Sequence, residues 1–209
     1  MATQRGLERL IFFTDAVTAI AITLLILPLV SIVPAHPAGN ESVWPLLVDH
    51  ASQLGSFVLS FLVIARFWLA HHAIFEHVGR YNRRLLFLSL AFAFTVVVLP
   101  LPTVITAAYT TSPLTVGLYI GTVLLSNLTL AAITFTVRGN QQIESQTNPI
   151  SRETLVNTVT STAFLTVALV LGLTIPHVTY FGLLLLFLTT PVTSLILRQL
   201  ARRDAAQTA

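Results

Sequence analysis

Residues 10–33 read LIFFTDAVTAIAITLLILPLVSIV. A helix needs about 20 apolar residues to cross the hydrocarbon core, and this run is long enough to do so with one acid, Asp15, near its start. The polar stretch before it, MATQRGLER, is short, and the run is too long for the apolar part of a signal peptide and lacks a small-residue cleavage site. It is therefore expected to be a retained first span. Five further apolar segments follow, at 45–75, 85–108, 114–137, 155–175 and 177–197, separated by turn and breaker residues. The chain is thus predicted to be an all-α membrane protein with six transmembrane helices in one domain, 1–209.

Composition agrees. The 209 residues are 55% hydrophobic and 9% charged, with a mean hydropathy of +0.83, whereas soluble domains carry about 25% charged residues. Six spans with short connections leave no room for a soluble domain. There are no cysteines, which excludes disulfides, iron–sulfur clusters and thiolate zinc sites.

The arginines set the expected orientation, because basic residues beside spans are retained on the cytoplasmic side. All 11 basic residues are Arg. Arg5 and Arg9 precede the first segment, Arg80, Arg83 and Arg84 follow the second, Arg138 and Arg152 flank the loop after the fourth, and Arg198, Arg202 and Arg203 close the chain. Six spans with both termini in the cytoplasm place all of these on one side. Only Arg66 falls inside a span. The basic balance is a topology signal and an attraction to anionic lipid; no aromatic–basic interleaving points to nucleic acid.

Polar groups inside a hydrocarbon core are costly and pair with something. Asp15 in the first segment and Trp68, His71 and His72 in the second lie at similar depth if the two spans run antiparallel. An Asp15 carboxylate bonded to the Trp68 indole or to an imidazole would satisfy both partners. Such a network could pin one span to the other, or His could relay protons. His72 and Glu76 at i, i+4 could share a metal, but adjacent His71 and His72 cannot face one ion, and no metal site is expected. Asn127 and Thr129 in the fourth segment suit interhelical hydrogen bonds, or substrate contacts in a carrier.

Ile20, Thr23 and Leu27 share one face of the first helix, with Ala16 a turn below. Turned to a common axis by several copies, they would form isoleucine, threonine-hydroxyl and leucine rings. Apolar rings gate by dewetting, and hydroxyl oxygens replace ion hydration. Read alone, the same face also suits helix packing.

Arg9, Phe13-Thr14-Asp15, Ala19-Ile20 and Thr23-Leu24 resemble the first-span signature of the transmembrane protein 175 family of potassium channels, Arg-x-x-x-Phe-Ser-Asp followed by Ala-Ile-x-x-Thr-Leu. Trp68-x-x-His71-His72-x-x-Phe75 is similar to that family's second span. Thr14 stands where the family has Ser and keeps the hydroxyl. The resemblance implies a homotetramer of single six-span repeats in a bacterial cell membrane, with the four first helices lining a pore that lacks a backbone-carbonyl filter. By position it makes Ile20 the hydrophobic constriction, Thr23 a hydroxyl ring that transiently holds potassium, and Leu27 a further apolar ring. Arg9, Phe13, Thr14, Asp15, Trp68, His71 and His72 become the supporting network. The permeant potassium ion is the only ligand implied, with no cofactor; the partners are the chain itself and membrane lipid. Val116-Gly117-Leu118-Tyr119-Ile120-Gly121 superficially looks like a selectivity filter but sits within an unbroken apolar run. The alternative function is a proton-coupled transporter with an Asp/His relay. An enzyme is not expected, since no nucleophile–base motif is present.

Overall fold

The computed structural model describes residues 3–33, 42–175, 183, 186, 188, 189 and 192–199. Every regular element among them is helical, apart from one isolated antiparallel bridge between Val78 and Glu144.

Helix α1, Gln4–Leu24, starts at Thr3, whose side chain accepts from the Gly6 amide. It gives way to a single turn, α2, Leu27–Val30, and Pro28 is the cause. Proline has no N–H to return to the Leu24 carbonyl and its ring crowds the preceding turn. Leu25 and Ile26 accordingly donate to the carbonyls three residues back, Ile22 and Thr23. The two pieces still form one span-length unit, Gln4–Val30.

A short α3, Val43–Asp49, is capped by Ser42 and separated by His50 from α4, Ala51–Phe75. Helix α5, Arg83–Val98, begins on Asn82, whose side chain accepts from Leu85 N–H. It bends at Leu99 into α6, Pro100–Ala108, for the same reason as the first break. Helix α7, Pro113–Arg138, opens on a capping box between Ser112 and Thr115, and α8, Arg152–Thr174, on Ser151. The glycine-containing stretch 116–121 lies inside unbroken α7.

Five units are long and apolar enough to cross a membrane among the described residues: Gln4–Val30, Ala51–Phe75, Arg83–Ala108, Pro113–Arg138 and Arg152–Thr174. The expected sixth span, 177–197, lies mostly outside the described residues, of which 192–199 are helical. The proline bends inside the first and third spans and the His50 break before α4 are features that hydropathy does not mark.

Helix α7 is the centre of the bundle, packing along α5 and α8 and touching α4 and α6. Ile64, Leu85, Phe92, Ile120 and Ile133 fill the core. Hydroxyls tie the helices together: Ser60 of α4 meets both Thr103 of α6, at 2.8 Å, and Tyr119 of α7, at 2.7 Å. Asn127 of α7 donates to Thr162 of α8 at 2.7 Å and accepts from Ser161 at 3.2 Å. At the arginine-rich end the loop after α7 closes over the loop after α4. Gly79 and Arg80 donate to the Ile143 carbonyl, and Ser145 donates to that of His77. Buried Glu144 anchors this clasp by accepting from Arg138 at 3.1 Å and from the Ile150 amide at 2.8 Å.

Candidate functional site

Helix α1 has two faces. Leu7, Leu10, Thr14, Thr18, Ala21 and Leu25 are buried against α5 and α4. A buried hydroxyl needs a partner, and helical geometry supplies it locally. Thr14 donates to the Leu10 carbonyl at 3.0 Å and Thr18 to that of Thr14 at 2.8 Å. The Thr14 hydroxyl is therefore consumed within its own helix.

On the opposite face Ala16, Ile20, Thr23, Leu27 and Val30 form an exposed stripe, with Ile20 57% and Leu27 59% accessible in the single chain. Thr23 donates its hydroxyl proton to the Ile20 carbonyl at 2.8 Å. Its oxygen keeps lone pairs but has no proton left to offer, so at this level the helix presents an acceptor. Just above, Leu24 loses the amide that Pro28 cannot provide. The stripe thus combines two apolar side chains with one hydroxyl acceptor at a bend in the helix, chemistry suited to cations rather than anions.

Asp15 lies at the edge between the faces. Its Oδ1 accepts from the Trp68 indole Nε1–H at 2.9 Å, so of the candidate partners it is the indole that binds the carboxylate. His72 stacks on Trp68, centroid to centroid 5.6 Å, and its Nε2 lies 3.6 Å from Glu76 Oε1. A line of polar groups therefore runs Asp15, Trp68, His72, Glu76 along the C-terminal end of α4. His71 is not in it. The helix turns His71 the other way, into the core between Phe75 at 4.2 Å and Phe92 at 5.1 Å, where neither ring nitrogen has a hydrogen-bond partner. Arg9 and Phe13 lie on the exposed side of α1, and Arg9 has no ion-pair partner among the described residues.

Two features near the site had no readable signal. The Ser60, Thr103 and Tyr119 cluster joins residues 43 and 59 apart in sequence. Gly6 lies so close to Tyr81 that a Cβ would meet the ring at 2.4 to 2.9 Å, which locks the start of α1 to the basic loop after α4. Within α1 the spacing of Thr14 and Thr18 was a usable hint, because i, i+4 threonines in an apolar helix bond backward and share a face. No group of three or more metal-ligating side chains is present among the described residues.

Five helical units long and apolar enough to cross a membrane, with polar residues held between them, are the architecture of an integral membrane protein. Residues 9–100, which hold the stripe on α1 and the Asp15, Trp68, His71 and His72 group, match the family described as endosomal/lysosomal potassium channel TMEM175. It is 40% identical over 97 residues to a potassium channel of Streptomyces collinus, covering 46% of each chain. It is 31% identical over 94 residues to the human endosomal/lysosomal proton channel TMEM175 and 30% identical to the rat one, covering 44% of this chain and 18% of theirs. The match thus spans less than half the length of each of these relatives. The family and these relatives are ion channels, not enzymes.

Proposed function

We propose that the chain is a potassium-selective cation channel of a bacterial cell membrane, with both termini in the cytoplasm, conducting along the axis of a homotetramer lined by four copies of α1. The observation that carries this reading is the exposed stripe Ala16, Ile20, Thr23 and Leu27, set opposite the packed face of the same helix. Isoleucine side chains converging on the axis form a constriction that excludes water when closed. One turn outward, four Thr23 oxygens, each with its proton committed to Ile20, offer a partly dehydrated potassium ion a ring of acceptors. Leu27 adds an apolar ring beyond. Trp68 and Asp15 act from behind the helix, fixing its rotation so that this stripe faces the axis.

The name of the Streptomyces relative supports potassium as the permeant ion, and those of the mammalian relatives supply the competing reading, a proton pathway. A carrier relay through Asp15, His71 and His72 gains no support from the His71 ring, which faces away from Asp15 into an aromatic pocket.

The test is single-channel recording of the purified protein in planar bilayers with potassium on one side and sodium on the other. Ile20→Asn is expected to raise the leak current several-fold by wetting the constriction, with unitary steps preserved. Slow, saturable, pH-driven exchange without unitary steps in the unaltered protein would reject the channel reading.

A further inference from the structure

Arg66 is the one arginine more than two turns from both ends of a described span, and it takes no part in the stripe on α1. It sits nine residues before the end of α4, Asn127 eleven before the end of α7, and Ser161 nine after the start of α8. At about 1.5 Å per residue all three lie about 14 to 17 Å from the arginine-rich end of their helices, near the middle of a hydrocarbon core about 30 Å thick. There they line one chamber of about 30 Å³ together with Asn157 and Thr158.

An arginine keeps its charge in proteins and carries five N–H donors. Here the guanidinium donates to Thr189, itself already bonded to the Leu186 carbonyl. No carboxylate lies within ion-pair distance of it among the described residues. A charge at this depth ordinarily pairs with an opposite one. The remaining donors have an adjoining route to solvent. Ala70, Ile74, Asn157 and Thr158 line both the Arg66 chamber and a second one of about 240 Å³, which reaches Ser151, Glu153 and Thr154 at the first turn of α8. The second chamber also contains the Thr193 hydroxyl, 3% exposed and without a hydrogen-bond partner. Exposed Glu153 is the one acid lining either chamber, and it stands at the mouth, not beside Arg66.

We infer that Arg66 anchors an anion site within each subunit, away from the proposed conduction path, which takes a monatomic halide such as chloride entering from the arginine-rich end. The inner chamber sets the size: a cavity needs about 10–15 Å³ of this kind to hold one water, so about 30 Å³ takes two or three water-sized groups, room for a halide with a water and cramped for phosphate or a carboxylate-bearing metabolite. The donors set the sign: the guanidinium N–H groups not used on Thr189 and the side-chain amide of Asn157 can point hydrogens at a halide, while the Thr158 and Ser161 hydroxyls are committed to the Thr154 and Thr158 carbonyls. The outer chamber is the entry, with Thr193 available to a hydrated ion on its way.

Bromide is the probe. The full-length protein in detergent, at fixed potassium and ionic strength, is titrated from gluconate to bromide, and its thermal unfolding is followed. The expected result is a saturating rise in melting temperature that Arg66→Gln loses and Arg66→Lys keeps in part. Crystals grown in bromide should show anomalous density in contact with the Arg66 guanidinium. If Arg66→Gln does not fold, saturation and anomalous density in the unaltered protein decide. A non-saturating shift, a shift shared equally by a folded Arg66→Gln protein, or absence of the density would overturn the site.

Discussion

The Trp68 indole donates to the Asp15 carboxylate at 2.9 Å, and this single bond joins the helix that carries the exposed stripe to the one behind it. Both residues are partly accessible, so water and lipid headgroups compete for the interaction. Interhelical hydrogen bonds in membranes are worth about 0.6 kcal/mol on average and up to about 1.7; a charged acceptor places this one toward the upper end. Trp68→Phe should lower the melting temperature of the detergent-solubilised protein and broaden single-channel open times, because α1 gains rotational freedom. Asp15→Asn keeps an acceptor and should do less. A double variant no worse than Trp68→Phe alone would confirm that the two act through one bond, whereas additive losses would separate them.

Thr23 gives the sharpest test of the proposed hydroxyl ring. Thr23→Ser retains an oxygen able to donate to the Ile20 carbonyl, and the potassium-over-sodium permeability ratio should remain close to that of the unaltered protein. Thr23→Ala removes the oxygen and should reduce the ratio several-fold with little change in stability, since the residue is exposed. Reversal potentials under bi-ionic conditions measure both. Equal ratios in all three proteins would move selectivity elsewhere.

The clasp at the arginine-rich end depends on Glu144, which accepts from Arg138 and from the Ile150 amide while its side chain is only 7% exposed. Glu144→Ala strands a buried amide, at a cost of about 1–3 kcal/mol. The loop of residues 139–150 should then become the first site of limited proteolysis, with the spans still protected. Cleavage unchanged from the unaltered protein would show that backbone bonds alone hold the clasp.

Ser60 serves Thr103 and Tyr119 together. Ser60→Ala should therefore destabilise more than Tyr119→Phe, which leaves the Ser60 to Thr103 contact intact; the difference is expected to be about 0.5–1.5 kcal/mol. Thermal unfolding of the two variants in the same detergent measures it.

Hydropathy made the helical segments legible, and helix-end chemistry explains where the structure starts them. A long apolar segment has no alternative in lipid to satisfying its backbone by helix formation, and Thr3, Asn82, Ser112 and Ser151 cap the helix starts through their own nearby side chains. The Asp15 to Trp68 pairing was one of several partners compatible with antiparallel spans at equal depth. What depth could not supply is rotation. Two adjacent histidines point about 100° apart, and the packing of α4 on α1, α6 and α7 decided that His71 enters the core beside Phe92 while His72 faces out with Trp68.

The sequence by itself determined that this chain is helical, apolar and asymmetric in its arginines, because those properties follow from residue type and near-neighbour spacing. Only the tertiary structure decided which face of α1 is left bare, which way His71 and His72 turn, and that Arg66 stands mid-helix with no acid beside it among the described residues. Each of these depends on the distance between residues far apart in the chain, or on how a helix is turned about its axis, and packing of the whole bundle sets both.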